Sequence, residues 1–416
     1  MSKRILLVAS TTGYQTRAFA AAAGRLGYEV RLATDRCHVL EDPWGDQALP
    51  LRFDDPEWSA RTVAANGGTF DGIVAVGDRP AYIAALIARQ VGIPYNSPEA
   101  VLACKNKFLA RERFRSAGLP VPNFVRIPVD ADPAAAARAV RFPCVLKPLG
   151  LSASRGVIRV DDQKQFIAAF ERIKDILASP EILRLHEDQD RYIQVEDFIE
   201  GREFALEGLL TGGQLTVLAI FDKPDPLNGP YFEETIYVTP SREAANAQCA
   251  IIDATARAIA ALDLMHGPVH AEMRVNDRGV WMLEVAARPI GGLCAQALRF
   301  ASGFSLEEVI LRHAAGDPVG SIDLSDPARG VMMIPIPAAG IYAGVSGVDD
   351  ARAVDGIEDV VITAKEGQKL LPLPEGASYL GFTFARGESP EIVERALREA
   401  HSRLAFEVLP ALPVLR

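Results

Sequence analysis

Glu272 and Glu284 are the residues that ask most strongly for a chemical explanation. They stand in two alternating segments, Val269-His270-Ala271-Glu272-Met273-Arg274-Val275 and Val280-Trp281-Met282-Leu283-Glu284-Val285-Ala286-Ala287-Arg288, joined by Asn276-Asp277-Arg278-Gly279. Alternation on both sides of a short Asn/Asp/Gly turn predicts a hairpin. With a three-residue loop and Gly279 in its left-handed position, Asn276 pairs with Val280, and counting outward sets Glu272 directly opposite Glu284. Their β-carbons would then lie about 4.5–5.5 Å apart. Period two adds His270 to that face from one strand, and Met282, Ala286 and Arg288 from the other. Two facing carboxylates destabilise a hairpin unless positive charge lies between them. A hard divalent cation such as Mg²⁺, which would also hold substrate phosphates, suits their oxygen donors. The alternatives are a hydrated solvent face or an ion pair with Arg288, and a loop of two or four residues would remove the register argument.

Three other segments carry chemistry-bearing residues. Val145-Leu146-Lys147-Pro148 ends a buried strand with a lysine, and Gly150-Leu151-Ser152-Ala153-Ser154-Arg155-Gly156-Val157 follows. Backbone N–H groups and hydroxyls of such a loop can close over phosphates, the lysine supplying fixed charge. No Gly-Lys-Ser/Thr ending opens a helix, so it is not a Walker A loop, and taken alone it is a hairpin turn. Gln194 to Glu207 is strand-like and acidic, with Glu203 and Glu207 alternating away from Phe204 and Leu206, as on an exposed sheet face. Lys223, Glu233 and Arg242 come from a strand-and-loop segment that could hold substrates or simply be solvated. His266 precedes His270 at the spacing of a helical zinc pair, but Gly267-Pro268 between them excludes the continuous helix.

The elements that must position these residues follow from periodicity. Ile5–Ala9, Glu29–Ala33 and Gly72–Val76 read as buried strands, and Thr16–Leu26 and Pro80–Val91 as helices, with Gly77-Asp78 as turn and N-cap. Apolar strands alternating with helices imply a parallel sheet covered on both faces. The first turn, Ser10-Thr11-Thr12-Gly13-Tyr14, lacks G-x-G-x-x-G, so Asp35 after the second strand is a turn residue and not a dinucleotide ribose ligand. Strands dominate 192–219 and 269–285 around a helix near 250–262, and strands 331–336, 360–363 and 381–385 precede a helix from 390 to 404. The chain's 416 residues at roughly 150 per domain suggest two or three domains. The expected division is 1–100, 101–315 with a mobile lid near 145–200, and 316–416.

Composition narrows the class. A formal net charge of -10 disfavours a general nucleic-acid or anionic-membrane binder. No run of about 18 apolar residues predicts a membrane span. The opening Met1-Ser2-Lys3-Arg4 and Ile5-Leu6-Leu7-Val8-Ala9 begins like a signal peptide, but Ser10-Thr11-Thr12-Gly13 breaks it early and no small-residue cleavage site follows. Cys37, Cys104, Cys144, Cys249 and Cys294 are scattered, odd in number and never in a C-x-x-C pair, which points away from a disulfide framework or zinc site and toward a reducing cytoplasm.

In order, the Lys107 segment, Val145-Leu146-Lys147-Pro148 with its small-residue loop, Glu196-Asp197-Phe198-Ile199-Glu200-Gly201-Arg202-Glu203, and the Glu272/Glu284 hairpin ending in Ala287-Arg288-Pro289 resemble the ATP-grasp superfamily of carboxylate–amine ligases. Phe221-Asp222-Lys223-Pro224 through Phe232-Glu233-Glu234-Thr235, and Ala287-Arg288-Pro289-Ile290-Gly291-Gly292, look most like the L-amino-acid ligases, which join two amino acids or an acid and an amine. The resemblance implies an α/β chain: a parallel-sheet N-terminal domain, an ATP-grasp fold and a small α+β closing domain. It implies that Lys107 and Lys147 contact ATP phosphates, that Ser152, Ser154 and Gly156 belong to the phosphate lid, and that Glu196 and Ile199 line the adenine hinge with Glu203 on the ribose. Glu272 and Glu284 would bridge Mg²⁺, or Mn²⁺ in its place, and Arg288 would face the reacting carboxyl group. His270 is a candidate base on the hairpin face, or a structural residue there. Two departures stand out: Ala286 replaces an Asn that many relatives use as a further metal ligand, and Leu151 and Ala153 replace lid glycines.

The expected function is thus a cytoplasmic, homodimeric ligase making an amide through an acyl phosphate from small carboxylate and amine substrates, amino acids foremost, with no nucleic-acid or membrane partner. The competing readings are a bicarbonate-activating or purine-pathway enzyme of the same superfamily, and a catalytically silent nucleotide-binding regulator.

Overall fold

The computed structural model describes residues 2–10, 14–35, 48–324 and 327–410. Cys37 and the turn Thr11-Thr12-Gly13 lie outside them. Strands Arg4–Ala9, Glu29–Thr34, Leu49–Pro50 and Gly72–Val76 form the parallel N-terminal sheet that alternation predicts. Successive residues of its first strand enter different cores. Leu6 and Val8 pack with helices Pro56–Asn66 and Asp78–Val91, whereas Ile5 and Leu7 pack with Phe19 and Ala22 of helix Tyr14–Leu26. Both faces are therefore covered, as continuous apolar strands require. Helix Asp78–Val91 begins earlier than expected, with Gly77 at φ +100° as its N-cap and Asp78 already helical.

A four-stranded antiparallel sheet follows, ordered Phe124–Pro128, Tyr192–Asp197, Cys144–Pro148, Ile158–Val160. Helix Gln163–Leu177 buries Phe166, Phe170 and Ile173 against it. The large sheet has eight strands, running from Gly279–Ala286 and His266–Asn276 through Arg202–Thr211, Gln214–Lys223 and Ile236–Thr239 to Ala328–Ile334, Gly381–Gly387 and Ile357–Ile362. It crosses the domain boundary expected at 315/316, because Ile236–Thr239 pairs directly with Ala328–Ile334. Among the described residues, only the small sheet of Gly340–Ser346, Lys369–Leu370 and Ala405–Leu409 belongs to the C-terminal segment alone. Among the described residues no helix is long and apolar enough to cross a membrane.

The N-terminal domain is fastened to the rest by helix Leu306–Ala314. A β-carbon on Gly72 would lie 2.2 Å from the Ala314 carbonyl oxygen, so only glycine allows this approach. On the same helix His313 stacks on His266 with ring centroids 4.4 Å apart and meets the Thr211 hydroxyl at 2.9 Å. Burial, helped by His266, brings the His313 pKa from 6.5 to about 4. Between those pH values the unfolded chain takes up a proton that the folded one refuses. The stabilisation is complete above pH 6.5 and is lost as pH falls through that window. The urea midpoint is expected to drop between pH 6.5 and 4, and to drop less in His313→Asn.

Candidate active site

The four-stranded antiparallel sheet, the eight-stranded sheet and the N-terminal domain meet around a cavity of about 660 Å³. The hairpin enters it with a different turn from the one expected. Asn276 pairs with Gly279, so the loop is Asp277-Arg278, one residue shorter. That register alone would set Glu272 against Leu283. A β-bulge at Leu283 slips the ladder by one residue and restores Glu272 opposite Glu284. It also turns Met282, expected on the carboxylate face, into the opposite core beside Met273, where it is 1% exposed.

Arg111 holds the bulge. Its Nη1 donates to the carbonyls of Met282 (2.8 Å) and Leu283 (3.1 Å), while Nε and Nη2 donate to the two oxygens of Glu196 at 3.0 and 3.2 Å. Glu196 in turn accepts from Lys147 and Gln194. Burial alone would raise the Glu196 pKa, but Arg111 and Lys147 pull it down to about 2. Lys147 is lowered by its own burial, with Glu196 opposing. The Glu196 carboxylate thus faces inward and aims Lys147, leaving the backbone to any adenine contact. Sequence reading missed Arg111, although it stands one helical turn after Lys107 on helix Lys107–Ser116 and so shares its face. Arg111→Met is expected to cost about 3–5 kcal/mol, the usual penalty for breaking a buried ion pair, measured by urea denaturation.

The acids of strand Arg202–Thr211 are buried, not solvent-facing. Cross-strand pairing sets Glu203 between Arg274 and Lys223, and Glu207 against His270. Arg274 Nε donates to Glu203 at 3.0 Å and Lys223 Nζ at 2.9 Å, so both Glu203 oxygens are engaged by cations. Arg274 also donates to the Ile199 carbonyl at 2.7 Å. Lys223 reaches Glu234 as well, and Glu272 at 3.4 Å. Burial opposes its charge, but Glu234, Glu272 and Glu203 raise its pKa well above the ordinary value. Glu234 goes the other way, pushed up to about 7 by burial and by Glu272.

His270 is sandwiched, Nδ1 against Glu207 and Nε2 3.0 Å from Glu272. Burial alone would lower its pKa, yet Glu207 and Glu272 raise it to about 10. The two carboxylates thus favour the imidazolium form of the ring. Glu207 also accepts from the Ile290 N–H at 3.1 Å, which ties the loop after Arg288 to the same chain of contacts.

Glu272 Oε2 and both Glu284 oxygens meet cations only at 3.4–4.0 Å, from Lys223, Lys107 and Arg288. Oxygens of Glu203, Glu234 and Glu272 lie within 4.8 Å of one another. Glu272 Oε2 and the Glu284 oxygens, with cations near but not on them, fit a hard divalent ion, whereas Glu203 and Glu234 are already bound by Lys223. Lys107 Nζ donates to the Leu151 carbonyl at 2.6 Å. Ser152 and Ser154 line the cavity with Lys107, Lys147, Glu196, Ile199, Glu203, His270, Glu272, Glu284 and Arg288. Gly156 does not; at φ +73° it packs on Pro148, whose ring a β-carbon would meet at 2.7 Å. Arg288 donates from Nε to Asp78 at 2.7 Å and from Nη1 to the Pro289 carbonyl at 3.1 Å. Asp78, from the N-terminal domain, was legible in sequence only as a helix start.

Residues 140–297 match the ATP-grasp domain family, and residues 332–409 match the L-amino acid ligase C-terminal domain 2 family. An L-amino acid ligase from Bacillus licheniformis shares the fold at 24% identity and a TM-score of 0.83, over 98% of this chain and 99% of that one. N5-carboxyaminoimidazole ribonucleotide synthetase from Thermotoga maritima shares it at 16% identity and a TM-score of 0.70, over 98% and 100%. Alanine–anticapsin ligase of Bacillus subtilis (strain 168) is 25% identical over 235 residues, which cover 53% of this chain and 49% of that protein. The chain spans 65%, 49% and 59% of the length of three of the curated relatives it matches.

Proposed function

From an ATP-grasp domain joined to a C-terminal domain of the L-amino acid ligase type, we propose that this chain is an ATP-dependent ligase that joins a carboxylate to an amine, with amino acids as its substrates. The observation that carries the proposal is the bulge-set pair Glu272 and Glu284, in one cavity with Lys107, Lys147 and Arg288.

A carboxylate is a poor acylating agent because its leaving group would be oxide. When a carboxylate oxygen takes the γ-phosphoryl group of ATP, ADP leaves and an acyl phosphate forms. A neutral amine then attacks the acyl carbon, an amide bond forms, and phosphate departs with the proton that the nitrogen loses. The first transfer needs positioning and charge neutralisation more than covalent help. Lys107 and Lys147 supply fixed positive charge for the phosphates, Lys147 aimed by Glu196 and Arg111. Glu272 and Glu284 would hold a divalent cation, which when bound neutralises phosphate charge. Arg288, aimed by Asp78, meets the reacting carboxyl group and the oxyanion that develops on it. His270 acts as a fixed cation that positions Glu272, not as a base.

The test is incubation of purified protein with ATP, Mg²⁺ and pooled amino acids, following phosphate and new masses together. Amino-acid-dependent ADP and phosphate, with a product lighter by one water than its two substrates, supports the ligase. Turnover that requires bicarbonate moves the reading to a carboxylating enzyme, and AMP in place of ADP overturns the acyl phosphate. Nucleotide binding without turnover under every pool favours the silent regulator.

A further inference from the structure

The loop Gly150–Gly156, which under the proposed function closes over ATP phosphates, is fastened to the C-terminal segment. The Gly156 N–H donates to the Pro374 carbonyl at 2.9 Å and Arg155 Nε to the Glu375 carbonyl at 2.9 Å. From the helix behind that loop, Arg172 grips the Glu375 carboxylate with both Nε and Nη2, the latter at 2.9 Å, and also donates to the Tyr231 hydroxyl. The strap that receives these contacts turns sharply. A β-carbon on Gly376 would lie 1.7 Å from the Leu371 carbonyl oxygen.

Immediately beyond the turn, Ala377, Ser378 and Tyr379 line the cavity. Tyr379 sits by Glu234 and Cys294, and burial together with those two groups raises its hydroxyl pKa. Glu234 accepts from Tyr237 at 2.8 Å and is bound by Lys223, which also contacts Glu272. The strap thus has one end on the lid and the other on the wall around Glu234. Tyr379 packs edge-on against Phe382, whose ring a β-carbon on Gly292 would meet at 2.8 Å. The far end of the strap is thereby wedged against the loop that follows Arg288.

We propose that Glu375 is a positioning residue: through Arg172 and the strap Leu371–Tyr379, it transmits closure of the phosphate lid to the cavity wall where the carboxylate substrate sits. The inference rests on the proposed function, because it takes Gly150–Gly156 as a nucleotide lid. Glu375 touches neither phosphate nor substrate in this account. Arg172 and Glu375 are partly exposed, with side-chain exposures of 41% and 36%, so their ion pair is worth little as global stability. Its value is local: it joins the helix behind the lid to the strap, beside the two hydrogen bonds that Gly156 and Arg155 of the lid make to the strap.

The test uses the full chain and Mg·ADP as probe, with hydrogen–deuterium exchange read separately for the peptides spanning 150–157 and 371–380. In the unmodified protein Mg·ADP is expected to slow exchange in both peptides, the strap by about fivefold, the lower end of ordinary coupling between sites. In Glu375→Gln and in Arg172→Gln, Mg·ADP still slows the lid peptide, but the strap no longer responds. The double variant shows no further loss. A strap that ignores Mg·ADP in the unmodified protein, or keeps its response in Glu375→Gln, overturns the inference and leaves the ligase reading standing. Failure of Mg·ADP to bind at all overturns the ligase reading and the inference together. A purely structural role for Glu375 would loosen the strap equally with and without nucleotide, which also counts against coupling.

Discussion

Arg288→Ala is expected to lower amide formation by about 10²- to 10³-fold, the usual cost of removing one donor aimed at a developing oxyanion, while Mg·ADP affinity changes little. The geometry explains both halves. Nε is spent on Asp78 and Nη1 on the Pro289 carbonyl, leaving Nη2 only a 4.0 Å approach to Glu284. Burial works against the guanidinium, but Asp78 and Glu284 hold it charged well above its ordinary range. Under the proposed function the nucleotide contacts come from Lys107 and Lys147, neither of which is held by Arg288. Removal leaves the half-buried Asp78 without its cation, so the melting temperature must be followed in the same preparation, with Arg288→Lys as a control that keeps the charge and loses the fork. If Arg288→Ala is folded and forms amide at the unmodified rate, Arg288 has no part in the chemistry. Asp78→Asn should lower the rate less, because it disturbs aim and leaves charge.

Glu284→Gln is the second large effect. The substitution keeps shape and removes one negative charge from the proposed cation site, leaving Lys107 and Arg288 facing a neutral amide where they now meet carboxylate oxygens at 3.7 and 4.0 Å. Half-saturation by Mg²⁺ or Mn²⁺ is expected to rise about 10²-fold or more, since even outer partners of a metal ligand are worth 10- to 100-fold. Turnover against divalent-ion concentration measures it, with Mn²⁺ binding in the presence of ADP as the readout independent of activity. Unchanged Mg²⁺-dependent turnover would remove Glu284 from the metal site. Glu272→Gln should be harsher still, because Lys223 and His270 would both lose a partner inside a buried cluster.

What could be read from the sequence and what could not divides by range. The parallel N-terminal sheet follows from apolar strands alternating with helices, a local pattern. The facing of Glu272 and Glu284 was also legible, though by a route that differs in detail. The turn is one residue shorter than assumed, and the bulge that corrects it depends on Arg111, 171 residues away from Met282 in the chain. No window around the hairpin contains that information. Glu203 and Glu207 alternate as a solvent face would, and only the neighbouring strands reveal that Lys223, Arg274 and His270 cover them. Asp78 looks like any helix start until the fold brings Arg288 to it, 210 residues on. The boundary expected at 315/316 rests on the local Gly316-Asp317-Pro318 break before a run of strands, and the pairing of Ile236–Thr239 with Ala328–Ile334 across it is a non-local contact that no window shows.

The eight-stranded sheet sets a timetable for synthesis. Strand Ile236–Thr239 is buried at every position, yet one of its two edges is covered only by Ala328–Ile334, which in turn waits for Gly381–Gly387. While the nascent chain leaves the ribosome, an apolar strand edge therefore stays open until Ala328–Ile334 has emerged, and the far edge of that strand until Gly381–Gly387 has. Such an edge is a template for foreign strands, and late non-local pairing is slow. A chain halted near residue 315 would carry that edge permanently, and the soluble yield of truncated forms would be governed by strand capture between molecules and not by the integrity of the nucleotide cavity.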